Sequence, residues 1–100
     1  MPSIEVIFLH SESCPHCHEF DNNVWKKFER KVRNEGLNVT LSKVGFNENQ
    51  KLFIENNVSA VPAIIFRING KSFVYTNEKS VNEMIRKLKQ TIDTSKTSKR

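Results

Sequence analysis

Cysteine is scarce in this chain, with two among 100 residues, Cys14 and Cys17, and both fall in the single segment CPHC. No second pair remains for a structural staple, so the disulfide-dense secreted mini-domain is excluded and the thiols are read as serving chemistry or metal. Glycine and proline number only three each, which excludes collagen-like and Pro/Gly-rich disordered chains. No apolar run approaches the roughly 20 residues that a membrane span needs. The opening MPSIEVIFLH has no basic start ahead of its short apolar stretch. Neither export nor a membrane partner is expected, and the expected location is cytoplasmic.

Apolar residues make up 37% of the chain and recur with clear periodicity, as in a soluble globular protein whose length closes a single core. The formal charge is +5, but the basic residues are spread over helix faces and the terminal TSKTSKR, so no nucleic-acid partner is expected. Lys26, Lys27, Arg30, Lys31 and Arg33 read as the solvated face of a helix.

Ile4 to Leu9 is β-branched and apolar without clean alternation, the pattern of a central strand covered on both sides. After SESCPHCH, the apolar residues Phe20, Val24, Phe28 and Val32 recur every four positions with Trp25 beside them. This spacing predicts one long amphipathic helix, which Gly36 stops in a left-handed conformation. Asn38 to Val44 is β-prone, and NENQKLFIENN predicts a short helix ending at Asn57, a residue that tolerates the left-handed cap. Ala63 to Ile68, Asn69-Gly70 and Ser72 to Tyr75 form a hairpin signal. Ser80 and Glu83 make a capping box, after which Val81, Met84, Ile85, Leu88 and Ile92 share one helix face. A right-handed crossover makes the first two strands parallel. The expected class is α/β, a mixed four-stranded sheet flanked by three helices, with a domain over residues 1–92 and a disordered basic tail over 93–100.

Cysteines at i and i+3 where a strand gives way to a helix lie within disulfide reach on the first turn. There the unpaired backbone N–H groups and the helix dipole stabilise a thiolate, so Cys14 is the expected nucleophile and Cys17 the resolving thiol. Pro15 suits the first turn, where its missing N–H would have been unpaired, and His16 can add positive charge beside the sulfur. Cys14, His16, Cys17 and His18 are also four metal-ligand types within five residues, but one helix turn cannot aim all four at one ion, and no metal is expected. CPHCH matches covalent haem attachment literally, a reading that would require an exported protein and a core rearranged around haem. His10 and His18 read as surface or partly buried side chains.

Three segments together resemble the thioredoxin superfamily over about residues 4–92: the strand followed by SESCPHC, the stretch FNENQKLFIENNVSAVPAIIF, and YTNEKSVNEMI. The last is similar to the protein disulfide isomerase pattern Y-x-G-x-R-[ST], with Asn77 and Lys79 in the glycine and arginine places. The resemblance implies a compact thioredoxin-like fold in which Val61-Pro62 is a cis-proline loop facing the cysteines. It implies that the Val61 backbone pairs with an extended substrate peptide while Pro62 packs near the sulfurs. Phe8 stands where the family carries a buried acid, six residues before the first cysteine, so Cys17 is expected to lack its usual base and to resolve mixed disulfides slowly.

The implied activity is disulfide exchange with protein substrates through Cys14 and Cys17, with no cofactor, by a monomer. Pro-His between the cysteines with Val-Pro-Ala later looks like the oxidising DsbA type. The Asn- and Lys-rich short form resembles thioredoxin-like proteins of large cytoplasmic DNA viruses, which implies a flavin sulfhydryl oxidase or a reductase as recycling partner. Two other readings stand beside it. One is a binding module of the same fold without turnover. The other is a glutaredoxin-like glutathione-dependent reductase, against which stand the missing Gly-Gly-Asp element and Glu12 where a basic residue would favour glutathione.

Overall fold

The computed structural model describes residues 3–97. Its elements run β1 (Ile4–His10), α1 (Pro15–Phe20), a π-helical turn (Asp21–Trp25), α2 (Lys26–Asn34), β2 (Thr40–Gly45), α3 (Gln50–Glu55), β3 (Ala63–Ile68), β4 (Lys71–Val74) and α4 (Val81–Thr97). The strand order is β2-β1-β3-β4, with β1 and β2 parallel and the other two pairings antiparallel. This is the mixed four-stranded sheet that the hydrophobic pattern predicts, with β1 inside it.

Alternation along β1 and β3 divides the core in two. Ile4, Val6, Phe8, Ile64 and Phe66 face α1, α2 and α4, whereas Ile7, Leu9, Ala63 and Ile65 face Leu52 and Phe53 of α3. Strands buried on both faces read as continuous apolar runs, which is why β1 shows no clean period of two in the sequence. Lys26, Lys27, Arg30, Lys31 and Arg33 all lie exposed, as a solvated face should.

The long first helix departs from the expected regular form. The Lys26 N–H bonds back to the Asp21 carbonyl, five residues earlier, so the chain makes one wider turn. Phe20 and Trp25 are five apart, and a regular α-helix would rotate them to different faces. The wider turn brings both onto Phe8, at ring-centroid distances of 5.0 and 5.4 Å.

Two helix ends close as predicted, by left-handed residues. At Gly36 (φ 65), the Gly36 and Leu37 N–H groups donate to the Arg33 and Val32 carbonyls. At Asn57 (φ 56), the Asn57 N–H donates to Ile54 O at 3.1 Å and the Val58 N–H to Phe53 O at 2.9 Å. This second cap turns the chain toward Val61. The hairpin also forms at Asn69-Gly70, both with positive φ.

Two expectations at α4 need correction. The capping box is half made: the Glu83 N–H donates to Ser80 Oγ at 3.3 Å, but the Glu83 carboxylate does not return to Ser80, because Arg86 takes both its oxygens at 2.6 and 2.7 Å. That pairing holds the Glu83 carboxyl below its usual range. The helix also continues past Asp93, where a disordered tail is expected, to Thr97; no glycine or proline interrupts it there. The rest of the expected tail, 98–100, lies outside the described residues. Among the described residues, no helix is long and apolar enough to cross a membrane.

The Asn57 cap gives a direct test. Asn57→Gly should leave urea stability within a few tenths of a kcal/mol, whereas Asn57→Ala should cost about 1 kcal/mol because a Cβ without a local polar partner disfavours positive φ. Equal stability of the Ala variant and the parent would show that the cap contributes nothing.

Candidate active site

The segment after β1 turns at Ser11, whose carbonyl accepts the Cys14 N–H at 3.2 Å. Cys14 is the N-cap of α1, with extended backbone (φ −110, ψ 98), and Pro15 takes the first helical position. The two sulfurs are bonded to each other across a Cα–Cα distance of 5.2 Å, within the usual range for a disulfide. The Cys17 N–H is shared between Cys14 Sγ and the Cys14 carbonyl oxygen, each at 3.1 Å, so a donor of the first helical turn also points at the first sulfur. Both cysteines are buried, Cys14 at 9% exposure and Cys17 at 3%. Burial is deeper at Cys17, one turn inside.

Opposite the sulfurs lies the chain before β3. The Val61 carbonyl oxygen is 3.8 Å from Cys14 Sγ, and the Val61–Pro62 peptide is cis. The fold thus brings together Cys14, Cys17, Pro15 and the Val61-Pro62 segment from positions 47 residues apart. His16 lies on the exposed side of this turn. Its side chain is 83% exposed and its Nδ1 lies 3.4 Å from Glu19 Oε1, so solvent and a carboxylate screen it. Among the described residues, no three His, Cys, Asp or Glu side chains converge as a metal site requires.

Two clefts flank the disulfide. One, of about 230 Å³, runs along Val58, Ser59, Ala60 and Val61 over the rings of Phe46 and Phe53, which meet edge to face at 5.2 Å. Phe46 is 42% exposed, an unusual state for a large aromatic. The other, of about 220 Å³, is lined by Phe8, His10, Cys17, His18, Asp21 and Lys43 among others. Lys43 stands opposite Phe8 in the β1–β2 register and reaches Asp21 Oδ2 at 3.1 Å. The sequence reading finds no carboxylate near Cys17 and misses Asp21. The available signal was its spacing of four residues from Cys17, which puts both on one helix face.

The family model for thioredoxin matches residues 3–94. The chain belongs to the thioredoxin family. Solved structures agree on the fold: it is similar to the first thioredoxin domain of mouse protein disulfide-isomerase A4 (TM-score 0.80, 17% identity, 88% of this chain and 62% of that one). It is also similar to the J-Trx1 fragment of ERdj5 (TM-score 0.77, 20% identity, 91% and 44%) and to the first two thioredoxin domains of Saccharomyces cerevisiae Eps1p (TM-score 0.64, 27% identity, 83% and 33%). The chain spans less than two thirds of each of these. No curated protein matches it by sequence. As a thioredoxin-family fold it carries its CxxC pair at the β1–α1 junction.

The cap bond to Cys14 Sγ can be measured apart from the disulfide. Cys14→Ser and Cys14→Ala both lack the S–S bond and both keep the residue-14 carbonyl as an acceptor for the Cys17 N–H, but only serine keeps the side-chain acceptor. The serine variant should be more stable by about 1 kcal/mol in urea unfolding; equal midpoints would remove the helix start as a source of stabilisation for charge on Cys14.

Proposed function

We propose that this protein is a thiol-disulfide oxidoreductase acting on protein substrates, with Cys14 as nucleophile and Cys17 as resolving thiol. The observation that carries the reading is the Cys17 N–H aimed at Cys14 Sγ at a helix start. That donor and the positive end of the helix favour negative charge on Cys14 and so lower its pKa. Reduced Cys14 attacks a substrate disulfide and forms a mixed disulfide; Cys17 then attacks Cys14 Sγ, re-forms the internal bond and releases the substrate thiol. In the oxidising direction the same steps run backward. No cofactor takes part.

Val61 is proposed as the backbone contact for an extended substrate, and the Phe46–Phe53 cleft beside it as the subsite for an apolar substrate side chain. Pro62 shapes that edge of the site. The proposal also takes the protein as a cytoplasmic monomer recycled by a flavin sulfhydryl oxidase or a reductase. Pro15 and His16 between the cysteines support an oxidising poise, since groups that favour the thiolate favour the reduced form.

The test of function is turnover of insulin disulfides together with the equilibrium potential in a glutathione series. Exchange activity is expected, with a potential above roughly −230 mV, and Cys17→Ser should trap substrates on Cys14. A partner-binding protein that neither reduces nor oxidises insulin would support the module without turnover. His16→Gly should lower the potential only modestly, by about 30 mV or less, because the imidazole is exposed and faces Glu19.

The order of reactivity is a separate test. Alkylation of the reduced protein as a function of pH should label Cys14 first, with an apparent pKa below about 8.5. Labelling of Cys17 first would reverse the assigned roles.

A further inference from the structure

We propose that Asp21, held by Lys43, accepts the proton of Cys17 when Cys17 attacks, an inference that rests on the exchange chemistry proposed above. Cys17 is only 3% exposed, and burial disfavours its charged form. Its proton therefore needs a local acceptor. The cleft of about 220 Å³ against Cys17 also contains Asp21, which follows it by four residues on the same helix face. The Asp21 N–H donates to the Cys17 carbonyl, which ties the two backbones together at the start of the π-helical turn. Such turns are frequent at functional sites.

The two carboxylate oxygens of Asp21 are in different states. Oδ2 accepts from Lys43 Nζ at 3.1 Å. Oδ1 is buried and is the one buried side-chain acceptor without a hydrogen-bond donor among the described residues. An unpaired buried acceptor is costly to a fold, and the residue that carries it lines the same cleft as Cys17. The cleft has room for bridging water, whose molecules occupy about 30 Å³ each in the liquid.

The other titratable groups facing the cleft are His10 and Glu12 from the end of β1 and the loop after it, and His18 on α1. Glu12 and His18 are exposed, and the His10 ring lies against Phe8 at 5.5 Å. None of them offers an unpaired buried oxygen to Cys17.

The step balances as follows. In a mixed disulfide on Cys14, the Cys17 thiol passes its proton through water to the Asp21 carboxylate. The Cys17 thiolate attacks Cys14 Sγ; the Cys14–Cys17 bond forms, the bond to the substrate sulfur breaks, and the electron pair leaves on the substrate thiolate. The two cysteines are oxidised and the substrate disulfide is reduced. In the reverse direction the Asp21 acid returns the proton to departing Cys17.

Stopped-flow reaction of the reduced full chain with dithiobis-nitrobenzoate separates the steps, because Cys14 releases the first coloured thiolate and Cys17 the second. The leaving thiolate needs no proton, so the second phase moves only the proton of Cys17. Asp21→Asn should leave the first phase intact and slow the second roughly tenfold near neutral pH. The loss should shrink toward about pH 9, where direct ionisation of Cys17 takes over. Asp21→Glu should restore part of the rate, Asp21→Ser should repeat the Asn result in a second background, and His10→Gln should leave the second phase unchanged. An unaltered second phase in the Asn and Ser variants, equal slowing at every pH, or a loss that follows His10→Gln instead would overturn the assignment. Absence of the first phase in the parent protein would instead overturn the exchange function itself.

Discussion

The placement of the cysteines depends on the packing of the first helical run against β1 through Phe8. Phe8 is 1% exposed and meets Phe20 and Trp25 together, each ring contact adding about 0.5–1.5 kcal/mol beyond its buried area. Phe20 lies three residues after Cys17, so fixing its ring on β1 fixes the rotation of α1 and the direction of its first turn. The wider turn at Asp21–Trp25 is what allows both aromatics to reach the same strand residue. The sulfur pair, the cap bond to Cys14 and the orientation of Asp21 all inherit that rotation.

The other half of the site is brought in by the opposite face of the sheet. The left-handed cap at Asn57 ends α3 with Phe53 and Val58 packed in the same cluster, and the four residues after it lead to the Val61 carbonyl beside Cys14 Sγ. The sulfur thus sits between the positive end of a helix and the negative end of a carbonyl dipole. The Cys17 N–H is nearer, at 3.1 Å against 3.8 Å, so stabilisation of negative charge wins.

Most of this frame was legible because local rules and tertiary structure agree. The apolar runs of β1 and β3, the spacing of Met84, Ile85 and Leu88, the caps at Gly36 and Asn57 and the Asn69-Gly70 turn each follow from one residue preference. The CPHC segment at a strand-helix junction was equally plain. What the sequence did not disclose depends on contacts between distant elements. A period-four reading of Phe20, Val24 and Phe28 cannot show a turn widened to seat Trp25 on Phe8. The exposure of His16 and its approach to Glu19 hide behind a motif that suggests only proximity to sulfur. Asp21 was overlooked because its significance arises from Lys43, 22 residues away, arriving through the β1–β2 register.

The position of Asp21 also explains how the centre of β1, Val6 to Leu9, can be apolar throughout. Val6, Ile7, Phe8 and Leu9 are all 2% exposed or less, and a carboxylate at any of them would lose nearly all its hydration, at a cost of several kcal/mol unless paired. At the margin of the helix the side chain of Asp21 keeps 20% exposure and has Lys43 within 3.1 Å, so the same chemical group is carried with less desolvation. Phe8 meanwhile contributes an aromatic contact that an acid there would forfeit. Moving the carboxylate from strand to helix therefore keeps a polar atom on the cleft beside Cys17 while leaving the centre of the sheet to dry packing.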